Sequence, residues 1–479
     1  MIPKLPALLI AIGFGFASAA ERPNIVLLLT DDQTVYSLGC YGNEDVKTPH
    51  IDQLAADGMV FDHHYNTTAI CMASRATIFT GLFEYRHGCN FGRGPILRDT
   101  WEKSYPVLLR RAGYRTAIAG KIGIEVAETL DSKGTLPIDD FDVWVAGPGQ
   151  TSYSTAKNPS MAKYSKKYPH STLSYGAFGR DFILESAATD SPFCLSISFK
   201  ALHMPATPDP RFDDAYAGKA FRKPDNFGRK LGEHFSEQSR QGRQYARFHD
   251  WGYADRYDEV MAIYHQQVHA IDVAVGMIRK SLEEANVADE TFIVFTSDNG
   301  FLCGSHGYGS KVLPYEESSK APLILYRPGH DNSGKNLRSS SLTGNVDLHP
   351  TLLELAGIPI PPEIDGLSLL PLYDQPTRSI RERLPLINVW GPEAVHSLSI
   401  VTKDWKFVRW PYDQKGFQPT EELFFLREDP LELKNEILNP DHNSALGQMR
   451  KRYLDEIETW SREGVPFRGY PSEAKKFRP

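Results

Sequence analysis

From Glu21 onward, short β-branched apolar runs alternate with segments whose apolar positions recur at helical spacing. That alternation predicts a parallel sheet covered by helices on both faces. Asn24–Thr30 (NIVLLLT) is apolar at nearly every position, the pattern of a central strand buried on both sides. Residues 116–119, 193–199 and 291–296 are predicted as further strands. Val260, Tyr264, Val268, Ile271, Val275, Ile278 and Leu282 recur every three or four residues, so they line one face of a long helix whose expected role is to pack on the sheet. Residues 205–255 break the pattern. They are polar, charged and rich in Gly and Pro without a clear period, and are read as an insertion near the mouth of a site. Beyond a Pro-rich stretch at 360–376, residues 397–410 read as a hairpin and 444–460 as an amphipathic helix, together a small α+β domain.

Charge and targeting narrow the class. The chain has 479 residues, 41% of them hydrophobic, enough for a large core. Sixty acidic and 53 basic residues give a net charge of −7, without the basic surplus that a nucleic-acid partner requires. An anionic substrate would therefore be met by a few placed cations. Lys4, an apolar run over residues 5–16 and Ala17-Ser18-Ala19 form a secretory signal pattern, too short for a membrane span. Later segments are not apolar enough to cross a bilayer, so a soluble secreted or periplasmic mature form is expected. The division predicted is 1–19 signal peptide, 20–375 catalytic domain and 376–479 small antiparallel sheet plus helix. Cys40, Cys71, Cys89, Cys194 and Cys303 lack CxxC spacing, which disfavours zinc.

Three motifs carry chemistry. Asp31-Asp32 directly follows the NIVLLLT strand, at the carboxyl end where open α/β sheets bind ligands. Alone it is an ordinary acidic turn. Ser297-Asp298-Asn299-Gly300 follows a second buried strand and adds a carboxylate and an amide oxygen, with Gly300 allowing a sharp turn. Two oxygen-rich strand ends point to one shared hard cation, Ca²⁺ or Mg²⁺. Cys71-Met72-Ala73-Ser74-Arg75 opens a predicted helix, whose N-terminus attracts anions, and Arg75 lies on the same face as Cys71. A lone cysteine here would ordinarily be structural.

The segment C-M-A-S-R-A-T-I-F-T-G resembles the signature of the formylglycine-dependent (type I) sulfatases, of the alkaline-phosphatase-like superfamily. N-I-V-L-L-L-T-D-D, L-G-C-Y-G-N, T-P-H-I-D-Q-L-A, G-Y-R-T-A-I-A-G-K, K-A-L-H-M-P, S-D-N-G, G-S-H-G-Y-G-S-K and Y-E-E-S-S-K-A-P-L-I-L-Y-R-P-G follow in family order across most of residues 22–370. The resemblance implies a large mixed, mostly parallel sheet sandwiched by helices. It further implies Cys71 converted to Cα-formylglycine by a maturation enzyme, and calcium held by Asp31, Asp32, Asp298 and Asn299 with residue 71. Arg75, Lys121, His203 and Lys311 match the family's sulfate-binding and catalytic positions. The family commonly carries a histidine two residues after the first catalytic lysine, where this chain has Gly123. His64, His87 and His306 are substitutes by residue type only.

The mechanism implied is attack on sulfur by one hydroxyl of the hydrated aldehyde, then release of sulfate by C–O cleavage when the other hydroxyl is deprotonated. His203 or Lys311 is the expected acid for the leaving group. Trp144, His306, Tyr308 and the 205–255 segment are expected walls of the substrate pocket. Export favours a sulfated carbohydrate, such as a polysaccharide or glycosaminoglycan fragment. The alternatives are a phosphonate or phosphodiester hydrolase of the same superfamily, or a silent protein that binds sulfated glycans.

Overall fold

The computed structural model describes residues 22–479. The expected export signal lies outside the described residues. Eight strands form the main sheet: β1 Asn24–Thr30, β2 Met59–Tyr65, β3 Arg115–Lys121, β4 Val143–Gly147, β5 Phe193–Ser198, β6 Thr291–Ser297, β7 Leu323–Tyr326 and β8 Leu337–Gly344, in the order β8-β2-β7-β6-β1-β5-β3-β4. Only β7 runs antiparallel to its neighbours. The sheet is therefore mixed and mostly parallel, as the alternating pattern predicts.

β1 is central and buried at every position. Its side chains alternate between faces: Val26 and Leu28 enter one core, while Ile25, Leu27 and Leu29 enter the other. The first core is covered by α1 (Pro49–Asp57), α3 (Ser171–Ser186) and α5 (Tyr257–Glu284); the second by α2 (Cys71–Thr80) and α6 (Leu348–Leu355). Tyr264, Val268, Ile271, Val275, Ile278 and Leu282 on α5 are all buried in the first core, which is the helical stripe read from the sequence. Among these elements, residues 205–255 form 3₁₀ turns and one short helix, α4 (Arg243–Asp250).

A second, antiparallel sheet follows, of β9 (Leu384–Asn388), β10 (Ser397–Val401), β11 (Trp405–Trp410) and β12 (Thr420–Phe425) in sequential order. The predicted hairpin is β10–β11. The predicted amphipathic helix is α7 (Asn443–Glu463), whose Leu446, Met449, Tyr453, Ile457 and Trp460 join the core of this small sheet. That core also takes in Tyr65, Tyr85 and Tyr315 from the larger part of the chain. No helix among the described residues is long and apolar enough to cross a membrane.

Candidate active site

Parallel strands bring their carboxyl ends to one edge, and the site is assembled from five of them. β1 delivers Asp31 and Asp32, β6 delivers Asp298 and Asn299, β3 ends in Lys121, and the chain after β5 carries His203. After β2 the chain turns into α2, which starts at Cys71. Strand register fixes these positions: β1 pairs with both β5 and β6, so the acidic turns after β1 and β6 must meet. Asp32 N–H donates to Asp298 Oδ1 at 3.3 Å, and Asn299 Nδ2 donates to Asp32 Oδ1 at 2.7 Å. Gly300 is required by crowding more than by its turn, because a Cβ there would lie 2.3 Å from the carbonyl oxygens of Glu317 and Lys320.

Three buried carboxylates face three buried cations. Arg75 Nε donates to Asp298 Oδ2 at 2.8 Å, Lys121 Nζ to Asp31 and Lys311 Nζ to Asp32. Lys311 Nζ also lies 2.8 Å from Cys71 Sγ. Burial works to raise the Asp31 carboxyl, but Lys121, Lys311, His203 and Arg75 overcome it and hold it well below the usual range. Burial wins at Asp32 and Asp298, which are raised. Burial, with Asp31 nearby, pushes the Cys71 thiol up to about 12, so the sulfur is not an activated thiolate. Burial also pushes the His203 imidazole down to about 3, which keeps it neutral.

Ligand atoms of Asp31, Asp32, Cys71 and Asp298 lie within 4.8 Å of one another. Asn299 Oδ1 is a buried oxygen without a partner. A hard, oxygen-rich set with one orphaned amide oxygen fits calcium or magnesium better than zinc. Arg75 Nη2 is likewise buried without a hydrogen-bond partner, 3.7 Å from Asp31.

Every residue expected to bind the cation or the sulfate is in this cluster. Of the expected pocket walls, Trp144, His306 and Tyr308 are not. Trp144 lies mid-strand on the edge strand β4, packed edge-on against Phe141. Tyr308 is fully buried and bonds Ser239 at 2.6 Å. His306 is buried in a separate polar layer, held by Asn226 at 3.0 Å and the Leu231 carbonyl at 2.9 Å. Both sit in a core that a hydropathy pattern cannot separate from a pocket.

At Gly123 the backbone has φ +74, and a Cβ would lie 2.7 Å from Arg75 Cδ and 3.6 Å from Lys121 Cε. Arg75 thus fills the space a longer side chain would need. His64 bonds Thr343 and His87 bonds Thr77, each at 3.1 Å. The imidazole beside position 71 is His203, whose ring is within 4.8 Å of Cys71 Sγ and Asp31. Sequence reasoning missed Ser198, whose hydroxyl accepts from Arg75 and donates to the Lys121 carbonyl at 2.7 Å. It also missed Lys200, whose ammonium sits over Tyr153 at 4.9 Å. Lys200 stands at the head of K-A-L-H-M-P, so its place in that segment was the available signal.

A mixed, mostly parallel sheet with helices on both faces, carrying this cation-rich acidic cluster at its carboxyl edge, is the alkaline-phosphatase-like fold. The family model described as Sulfatase matches residues 23–358, and one described as N-sulphoglucosamine sulphohydrolase, C-terminal, matches 304–459; the chain belongs to the sulfatase family, enzymes that hydrolyse sulfate esters. Relatives include an N-acetylglucosamine-6-O-sulfatase of Bacteroides thetaiotaomicron, 28% identical over 87% of this chain and 82% of that protein. An N-acetylgalactosamine-6-sulfatase of Sus scrofa is 30% identical over 75% of this chain and 68% of its own length. Among solved structures, one in complex with its substrate D-glucosamine-2-N,6-O-disulfate superposes with a TM-score of 0.77 at 24% identity, covering 93% of this chain and 99% of that one. A phosphonate monoester hydrolase of Agrobacterium radiobacter gives 0.73 at 20% identity, covering 93% and 96%. At these identities the structural matches speak for the fold.

Proposed function

We propose that this chain is an exported, calcium-dependent sulfatase that hydrolyses sulfate esters of carbohydrates, with Cys71 converted to formylglycine by a maturation enzyme. The observation that carries the proposal is the convergence of Arg75, Lys121, Lys311 and His203 on residue 71 at the first turn of α2, beside an oxygen-rich donor set. The sugar-sulfatase relatives support the substrate class, and the signal pattern at 1–19 supports export. Cys71 Sγ occupies the place that the oxygens of a hydrated aldehyde would take. Asp31, Asp32, Asp298 and Asn299 with residue 71 would hold calcium, which would supply positive charge to activate the nucleophile and draw off sulfuryl charge.

The chain's own residues do the rest. The unpartnered Arg75 Nη2 is free to donate to a sulfuryl oxygen, and the ammonium groups of Lys121 and Lys311 neutralise the others. Each such preorganised contact is worth on the order of 3 kcal/mol in the transition state. Lys311, already within reach of position 71, donates toward the leaving oxygen. His203, neutral and unpartnered at Nδ1, takes the proton of the hydroxyl that remains, the task that Gly123 cannot perform. The test is a panel of sulfated mono- and oligosaccharides incubated with formylglycine-bearing enzyme, reading released sulfate. Hydrolysis of a phosphate diester or phosphonate ester, with no sulfate released from any sugar or aryl sulfate, would sink the proposal.

A further inference from the structure

α4 is the one α-helix in the long polar connection among the described residues, and two of its arginines share a face. Arg243 and Arg247 are four residues apart, hence neighbours on one side of the helix. Each guanidinium lies over an indole, Arg243 at 4.6 Å from the Trp390 ring centre and Arg247 at 4.0 Å from that of Trp251. Stacking of this kind fixes the plane of the cation without neutralising it and leaves its N–H edge free to donate.

Trp390 and Arg247 both reach the segments that carry Cys71 and Lys311. Trp390 packs on the cluster of Ile70, Ala73 and Val312, which includes the residue before Cys71 and the residue after Lys311. Arg247 Nη1 donates to Ser310 Oγ at 2.7 Å, and Ser310 directly precedes Lys311. The negative charge of Asp32 acts on both guanidinium groups. Neither arginine has a carboxylate within 4.0 Å among the described residues. Burial lowers both, Arg247 to about 10, with the charge of Arg243 acting in the same direction. Two half-desolvated like charges on adjacent turns repel, and an anion between them relieves both penalties. The scissile sulfate does not need them, because the buried Arg75, Lys121 and Lys311 already surround it.

We propose that Arg243 and Arg247 form an anion subsite beside the sulfuryl pocket that holds a second oxyanion of the substrate, a further sulfate or a carboxylate near the scissile ester. This rests on the sulfatase reading of the pocket at Cys71 and deepens it: the substrate carries at least two negative groups.

The test uses two matched pairs, glucosamine 6-sulfate with glucosamine 2-N,6-O-disulfate, and 4-nitrophenyl sulfate with its ring-carboxylated analogue. The formylglycine-bearing enzyme is expected to favour the doubly charged member of a pair by about tenfold or more in kcat/KM. Arg243→Gln should remove most of that preference through KM, and Arg247→Lys should keep more of it than Arg247→Gln. A preference in the sugar pair assigns a second sulfate, and one in the aryl pair a carboxylate. Equal rates within both pairs, or variants that slow both members equally, overturn the subsite. Turnover of the aryl pair alone, with the preference intact, would overturn the carbohydrate reading and leave the subsite standing. Calorimetric binding of the disulfate to Cys71→Ala, with and without Arg243→Gln, reads the subsite without turnover; equal affinities would overturn it.

Discussion

Cys71 is a poor nucleophile as it stands, since burial and Asp31 hold its proton. Activity should therefore track conversion to the aldehyde and not thiol content. Peptide mass spectrometry around residue 71 should show a loss of about 18 Da in active protein, the covalent change of thiol to aldehyde, and Cys71→Ala should release no sulfate above background. Gly123 gives a sharper residue-scale prediction. Restoring the family's usual histidine with Gly123→His should lower kcat, not raise it, because the new Cβ meets Arg75 Cδ at 2.7 Å on a backbone at φ +74. The left-handed conformation alone costs a non-glycine residue roughly 1–2 kcal/mol, and displacement of Arg75 breaks its bond to Asp298 and the sulfate contact proposed for it. Kinetics together with a melting curve would separate the two losses. The sequence revealed Gly123 as a departure, but it could not show that Arg75 fills the space, because the two residues are 48 positions apart and meet only across the sheet edge.

At the scale of elements, α5 is anchored to α1 through one carboxylate. Asp272 Oδ1 accepts the backbone N–H of His50 at 2.9 Å and of Ile51 at 2.8 Å, in the first turn of α1. Burial pushes this carboxyl up from 3.8 to about 7, against the two N–H donors. The folded state therefore holds a proton that the unfolded chain releases. The resulting stability is fully present below about pH 4 and is lost as pH rises through about 7, a term on the order of a few kcal/mol. Asp272→Asn keeps an acceptor oxygen and cannot ionise, so its melting midpoint should fall less than that of the wild type between pH 4 and pH 7. Parallel slopes in the two proteins would refute the assignment. The α5 stripe was legible because every third or fourth residue meets the same sheet. The anchor was not, since an aspartate on a helix reads as solvated until α1 covers it.

At the scale of the molecule, one buried lysine ties the small sheet to the larger part of the chain. Lys406 Nζ on β11 lies 2.7 Å from Glu316 and 2.8 Å from Glu432, and Tyr65, at the end of β2, donates to Glu316 at 3.0 Å. Burial raises both acids; Lys406 and Lys320 overcome it at Glu316, held at about 2, while Glu432 stays at about 8. Lys406→Met should cost about 3–5 kcal/mol by leaving buried charge unpaired, visible in chemical denaturation. Calcium chelation should lower the melting midpoint reversibly, since a saturating ligand at 100 times its Kd adds about 2.7 kcal/mol, and added calcium should restore both stability and turnover.

Sequence alone determined the strands that run buried through the sheet, the long helix against it, the late hairpin and helix, and the set of residues around Cys71. These are local: period two, period 3.6 and ordered motifs are written in neighbouring residues. Tertiary structure decided what no spacing encodes. It left Trp144, His306 and Tyr308 apart from the site, bonded His64 and His87 to threonines away from position 71, and set two arginines of a patternless stretch over Trp390 and beside Ser310. Those outcomes depend on which distant surfaces the register of β1 with β5 and β6 brings together, and on what burial then does to each charge.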